Sequence, residues 1–124
     1  MKKILVLLLL IPLISCASFS RNALNTLNAS RDTYNYAASV AVSNQCERDE
    51  NNREINDGTC ITYQRWTKDV RPALVNVNRT INDGYASLKA YNQAKTKENK
   101  STLEAVLASL GPLIQTVKDL LNIQ

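Results

Sequence analysis

From Trp66 to Tyr91 the chain reads WTKDVRPALVNVNRTINDGYASLKAY, and Trp66, Val70, Ala73, Val77, Ile81, Gly84, Leu88 and Tyr91 recur within it at steps of three and four. That spacing lays one apolar stripe along a helix. Pro72 interrupts it chemically, because a proline inside a helix lacks the N–H and crowds the carbonyl four residues back, at a cost of about 3 kcal/mol. The stripe nevertheless crosses Pro72 without a change of phase, so the residues favour one kinked helix over about 62–94 rather than two reoriented ones.

Outward from this stretch the pattern remains helical. On the C-terminal side, Leu103, Leu107, Leu110, Ile114, Val117 and Leu121 repeat at steps of four and three. Ser101-Thr102-Leu103-Glu104 before them has the form of a capping box, which predicts a helix over about 102–122. Gly111-Pro112 is expected to bend this helix without ending it. On the N-terminal side, Ser20 is the expected cap for a helix over about 21–45 whose inner face holds Ala23, Leu27, Tyr34, Ala38 and Ala41. Arg31 interrupts that face and Asn28 and Asn35 border it, so it is the weakest of the three. No stretch alternates apolar and polar residues for long enough to suggest a sheet. Short connections make consecutive helices antiparallel neighbours, and the expected fold is all-α, an antiparallel up-down-up three-helix bundle with one disulfide-closed loop.

The first residues carry a different signal. Lys2 and Lys3 precede the apolar run Ile4–Leu13, interrupted only by Pro12, in the order of an export signal. The run is shorter than the roughly 20 residues that span a bilayer as a helix. Leu13-Ile14-Ser15-Cys16 then closes it, and here the chain resembles the bacterial lipoprotein precursors, whose lipobox has Leu, a small or aliphatic residue, Gly, Ala or Ser, and Cys. The resemblance covers residues 1–16. It implies a signal peptide over 1–15, acylation of Cys16 as the first mature residue, and retention on a membrane of the cell envelope. Ala17 after the cysteine resembles the pattern of outer-membrane sorting, with the domain on the periplasmic face. An ordinary secretory signal or an uncleaved signal anchor are the alternatives.

Removal of residues 1–15 from 124 leaves 109, enough for a single domain over 21–124 joined to Cys16 by a tether over 16–20. The formal charge of +4 includes Lys2 and Lys3 and falls to +2 without them, a mild balance that disfavours nucleic acid as a partner. With Cys16 acylated, Cys46 and Cys60 remain as a pair in an oxidising compartment and are expected to form a structural disulfide. A redox or metal role finds no Cys-x-x-Cys and no His anywhere in the chain.

No catalytic constellation can be assembled from these residues. Asp32, Asp69, Asp83 and Glu104 are scattered along helices without an inferable pairing. An EF-hand registered at Asp49 would place Arg53 at a ligand position and Glu54 where glycine is required. The reading is therefore non-enzymatic, with no catalytic residue, no metal and no cofactor.

The four-residue stretch Ala17–Ser20 can span only roughly 13 Å, so the bundle is expected to stand close to the lipid that holds Cys16. Lys95, Lys97 and Lys100, with Lys89 before them, would then lie near the membrane as candidate contacts for its head groups. The loop closed by Cys46 and Cys60 would be distal. Its Glu50, Asn52 and Asp57, together with Tyr36, Tyr63 and Tyr85 off the main stripes, are candidate contacts for another envelope protein. An exclusion or inhibitory factor is one form such an interaction module could take. A structural, self-associating envelope lipoprotein is the alternative.

Overall fold

The computed structural model describes residues 2–123, with side chains placed from Ser18 to Ile123. The side chains of the expected signal peptide and of Cys16 lie outside the described residues. Helix α1 covers Lys2–Ser43, α2 is the single turn Tyr63–Arg65, α3 covers Arg71–Gln93 and α4 covers Lys97–Leu121. Five residues, Trp66–Val70, form a π-helical turn that joins α2 to α3. Among the described residues the only β pairing is two isolated bridges, Gln45 with Ile61 and Arg48 with Glu54.

The π turn is how the chain accommodates Pro72. Arg71 donates its N–H to the carbonyl of Trp66, five residues back rather than four. The wider turn ends just before the proline, which then occupies the start of a new α-helical ladder, where its missing N–H is no loss. Helical backbone thus runs without a gap from Tyr63 to Gln93. Pro112 lies inside α4, which continues past it.

Two expected helix starts need correction. Ser20 is not an N-cap, since α1 is already helical before Arg21, and Ser18–Ser20 are not a loose tether. No helix breaker separates these residues from Arg21. Phe19 instead gains an edge-on contact with Tyr91 at 5.2 Å between ring centroids, and Ser20 Oγ donates to Asn92 Oδ1 at 2.7 Å. The Ser101–Glu104 capping box is likewise not used. Thr96 caps α4 instead, its Oγ1 accepting from the Asn99 N–H, and Ser101 lies a full turn inside the helix. The earlier start has a reason beyond the cap. Asn99 Nδ2 donates to the carbonyls of Ala90 and Ala94, which also accept the N–H groups of Ala94 and Thr96, and so ties the first turn of α4 to the end of α3.

The core contains Leu27 and Ala41 of α1, Val70 of the π turn, Val77, Ile81, Leu88 and Tyr91 of α3, and Leu103, Leu110 and Val117 of α4. Its tightest point is Gly84. A Cβ there would clash with Leu27 Cδ2 and lie 3.5 Å from Val106 Cγ1, so the three long helices converge on a position with no room for a side chain. Either side of this point, polar bonds tie α1 to α3. Tyr85 donates its hydroxyl to Asn28 Oδ1 at 2.6 Å, and Arg31 donates Nη1 to Asn78 and Nη2 to Asn82, both at 2.7 Å, while its guanidinium lies 5.3 Å from the Tyr34 ring centroid. Arg31, which looked like a flaw in the inner face of α1, is a fastener. Tyr85, expected to be an exposed contact, is instead half-buried in this seam.

The C-terminus of α4 is closed by Asn122 in the left-handed region at φ 55°, with Ile123 N–H donating to the carbonyl of Lys118 at 2.9 Å. Arg65 adds a guanidinium bond to the carbonyl of Leu120. A cation at that place also complements the negative end of the helix dipole.

Gly84→Ala offers a test of the packing. Alanine gains about 1 kcal/mol of helix propensity. Overpacking against a fully buried leucine costs about 1–3 kcal/mol. Net destabilisation of up to about 2 kcal/mol is expected from urea unfolding, and pairing the change with Leu27→Ala should recover part of the overpacking cost.

Candidate interaction surfaces

The loop between α1 and α2 is small but heavily bonded. Cys46 and Cys60 are joined by a disulfide with their Cα atoms 4.8 Å apart. At its base Cys46 N–H donates to the carbonyl of Ile61 at 3.0 Å, and Ile61 N–H to that of Asn44 at 2.7 Å. The segment from Glu47 to Ile55 doubles back on itself. Asp49 Oδ1 accepts from the N–H groups of Asn51 at 2.9 Å and Arg53 at 2.8 Å, while Arg48 donates to the carbonyl of Asn52, which sits at φ 60°. Asparagine tolerates that left-handed geometry better than most residues.

Three of the five loop carboxylates are structural. Besides Asp49, Glu54 Oε2 accepts from the Tyr63 N–H at 2.7 Å and so covers the exposed start of α2. Asp57 Oδ1 accepts from the N–H and hydroxyl of Thr59 and from the N–H of Cys60. These bonds, those of the Thr59 N–H and hydroxyl foremost, hold the Asp57 carboxyl below the usual Asp range, against a small opposing effect of desolvation. Gly58, at φ 86°, makes the turn that lets Asp57 reach back to them. Asp57, expected as a partner contact, is therefore first a loop brace. Glu50 and Asn52 are exposed.

Exposed apolar groups accompany this loop. Ile55 is 50 % exposed, Tyr63 63 % and Val42, near the end of α1, 65 %. An open cleft of about 320 Å³ is lined by Ser43, Asn44, Glu47, Ile55, Asp57 and Thr59. Tyr36 is 61 % exposed on α1, as expected, so two of the three tyrosines proposed as contacts are on the surface. Trp66 is partly buried against the core and Tyr91 is buried in it, which matches their places on the stripe of the second helix.

Lys89, Lys95, Lys97 and Lys100 are all exposed around the α3–α4 turn. Lys100 Nζ lies 5.0 Å from the centroid of the Phe19 ring, within cation–π range. The basic turn and Phe19 of α1 therefore lie side by side. Phe19, Val42 and Ile55 were not among the expected site residues. Phe19 carried one available clue, being the single Phe in the chain and lying beside the last small residues before the domain.

Among the described residues no cluster of three or more His, Cys, Asp or Glu is placed to hold a metal ion, and no helix is long and apolar enough to cross a membrane. No protein-family model, curated protein or solved structure shows a significant match to this chain.

Two outcomes follow from the loop geometry. Removing the bridge with Cys46→Ser and Cys60→Ser together should lower unfolding stability by up to about 3 kcal/mol, by the chain-entropy estimate for a loop of this length. The Asp57 carboxyl is more acidic when folded than when unfolded, so its contribution is present above the ordinary Asp value of about 3.9 and is lost as pH falls from there through its folded pKa. A thermal-melt series across that acid range should show a shallower loss for Asp57→Asn than for the parent chain.

Proposed function

We propose that this chain is a lipid-anchored helical lipoprotein of the bacterial envelope that acts by binding another envelope protein and performs no chemistry of its own. The observation that carries the reading is the polarity of the molecule. The lipobox cysteine precedes the Phe19 contact with Tyr91 and Lys100 at one end, and the braced disulfide loop with exposed Ile55 and Tyr63 lies many turns away along α1. The pairing Ser20 with Asn92, Asn28 with Tyr85, and Arg31 with Asn82 and Asn78 ascends along α1 while it descends along α3. That order supports an antiparallel, up-down-up bundle.

The distance from Ser20 to Ser43 along a helix is roughly 35 Å at 1.5 Å per residue. In this arrangement acylated Cys16 holds one end on the membrane, on the periplasmic face of the outer membrane, and the loop is presented roughly that far from it. Two acyl chains suffice for stable anchoring. The loop suits recognition, because its backbone is held by the disulfide, Asp49, Asp57 and Glu54, so little conformational entropy remains to be lost on binding.

Site-specific photo-crosslinking in cells, from probes at Asn52, Ile55, Tyr63 and Tyr36, should trap a discrete protein adduct. Trapping of lipid alone, or of nothing at all these positions, would count against the interaction reading. Adducts between two copies of the chain would favour a self-associating structural role. Independently, Cys16→Ala should release the protein from membranes and change its mobility; retention with unchanged mobility would remove the lipoprotein assignment.

A further inference from the structure

We infer that the end of the domain that holds Phe19 is a docking surface for anionic phospholipid head groups, one that fixes how the domain sits on the membrane. The inference rests on acylation at Cys16 and goes beyond it. An anchor alone leaves the domain free to swivel, whereas a charged contact beside the anchor orients it.

Several observations place the surface. Exposed cations at this end are Arg21, Lys89, Lys95, Lys97 and Lys100, against Glu98 in the first turn of α4 and Glu104 one turn beyond Lys100. This excess of positive charge is local, while the loop beyond Ser43 mixes five carboxylates with Arg48 and Arg53. The cations are also held in position. Phe19 touches both the Tyr91 ring and the Lys100 ammonium, Ser20 is bonded to Asn92, and Asn99 ties the first turn of α4 to the carbonyls of Ala90 and Ala94. The turn that bears Lys95 and the start of α4 that bears Lys97 and Lys100 are thereby clamped to the start of the domain.

The clamp shortens the expected tether. Only Ala17 and Ser18 separate Cys16 from Phe19, a path of roughly 10 Å fully extended and roughly 5 Å as a helix. Both are near the screening length of about 8 Å at physiological ionic strength. With Lys100 a further 5.0 Å from the Phe19 ring, the basic turn is kept within electrostatic reach of the head-group plane instead of sampling it at the end of a flexible leash. Each Lys near an anionic surface adds roughly a fivefold preference.

The test uses the full acylated chain in vesicles of phosphatidylcholine alone or mixed with phosphatidylglycerol, each doped with a head-group-labelled quencher. A fluorophore is attached to a single introduced thiol, Ala94→Cys in the basic turn or Asn52→Cys in the loop. Quenching at position 94 should exceed that at 52 and rise when phosphatidylglycerol is included. The rise should vanish in about 1 M salt, where the screening length is about 3 Å. It should also vanish when Lys89→Gln, Lys95→Gln and Lys97→Gln are combined, changes confined to exposed side chains and checked by helical circular dichroism. Flotation with both vesicle types but equal quenching at the two sites, or quenching indifferent to phosphatidylglycerol, would overturn the surface and leave the anchor standing. Failure to float with either composition would overturn the anchor and the surface together.

Discussion

Leu27 fills the space that a side chain at position 84 would need, and Val106 of α4 reaches the same point. This meeting of three helices sets the distance between α1 and α3, on which the rest of the packing depends. At that separation the short side chains of Ala23, Ala37 and Ala41 are long enough to bury their surface. Held there, Arg31 can reach both Asn78 and Asn82, and Tyr85 can reach Asn28. A wider spacing would break these bonds and leave small residues facing a gap, with the lost dispersion contacts that a void entails.

The polar seam explains how a helix with a thin apolar face stays on the bundle. Its bonds lie mostly at the exposed edge of the interface, with Arg31–Asn78 part-buried, and each adds a modest net contribution of about 0.5–1.5 kcal/mol at most. Among the described residues no buried side-chain nitrogen or oxygen lacks a partner. The Asn residues of α3 at positions 78, 82 and 92 therefore specify which helix lies alongside and in what register, a task that interchangeable aliphatic contacts perform poorly.

Much of this architecture was legible in the residues. The stripe of the second helix predicts Val70, Val77, Ile81, Leu88 and Tyr91, and all are buried; Leu103, Leu110 and Val117 follow the same logic in α4. The disulfide followed from counting cysteines once one was assigned to lipid. What escaped the sequence is what depends on a second segment. Ser101 and Glu104 match a local capping pattern, yet Thr96 wins because Asn99 then reaches the end of α3, a contact no local motif encodes. Tyr85 lies off the stripe, and only the position of Asn28 across the interface makes it structural. Asp57 reads as a partner contact, but its oxygen, like those of Asp49 and Glu54, is turned onto backbone N–H groups. The π turn was concealed because it preserves the apolar phase that argued for an uninterrupted helix.

Glu54 links the loop to the first turn of α2, and Arg65 links that turn to the last carbonyls of α4. The consequence is mechanical. A pull applied at the loop is divided between α1, which leaves through the Cys46 side, and the α2–α3 arm, with α4 recruited through Arg65. Along α1 the load runs parallel to the helix axis, so the seam with α3 and the Leu27 contact bear it together in shear and do not open one after another as a peeled edge does. Tension between the start of α1 and the loop would thus be shared among the helices.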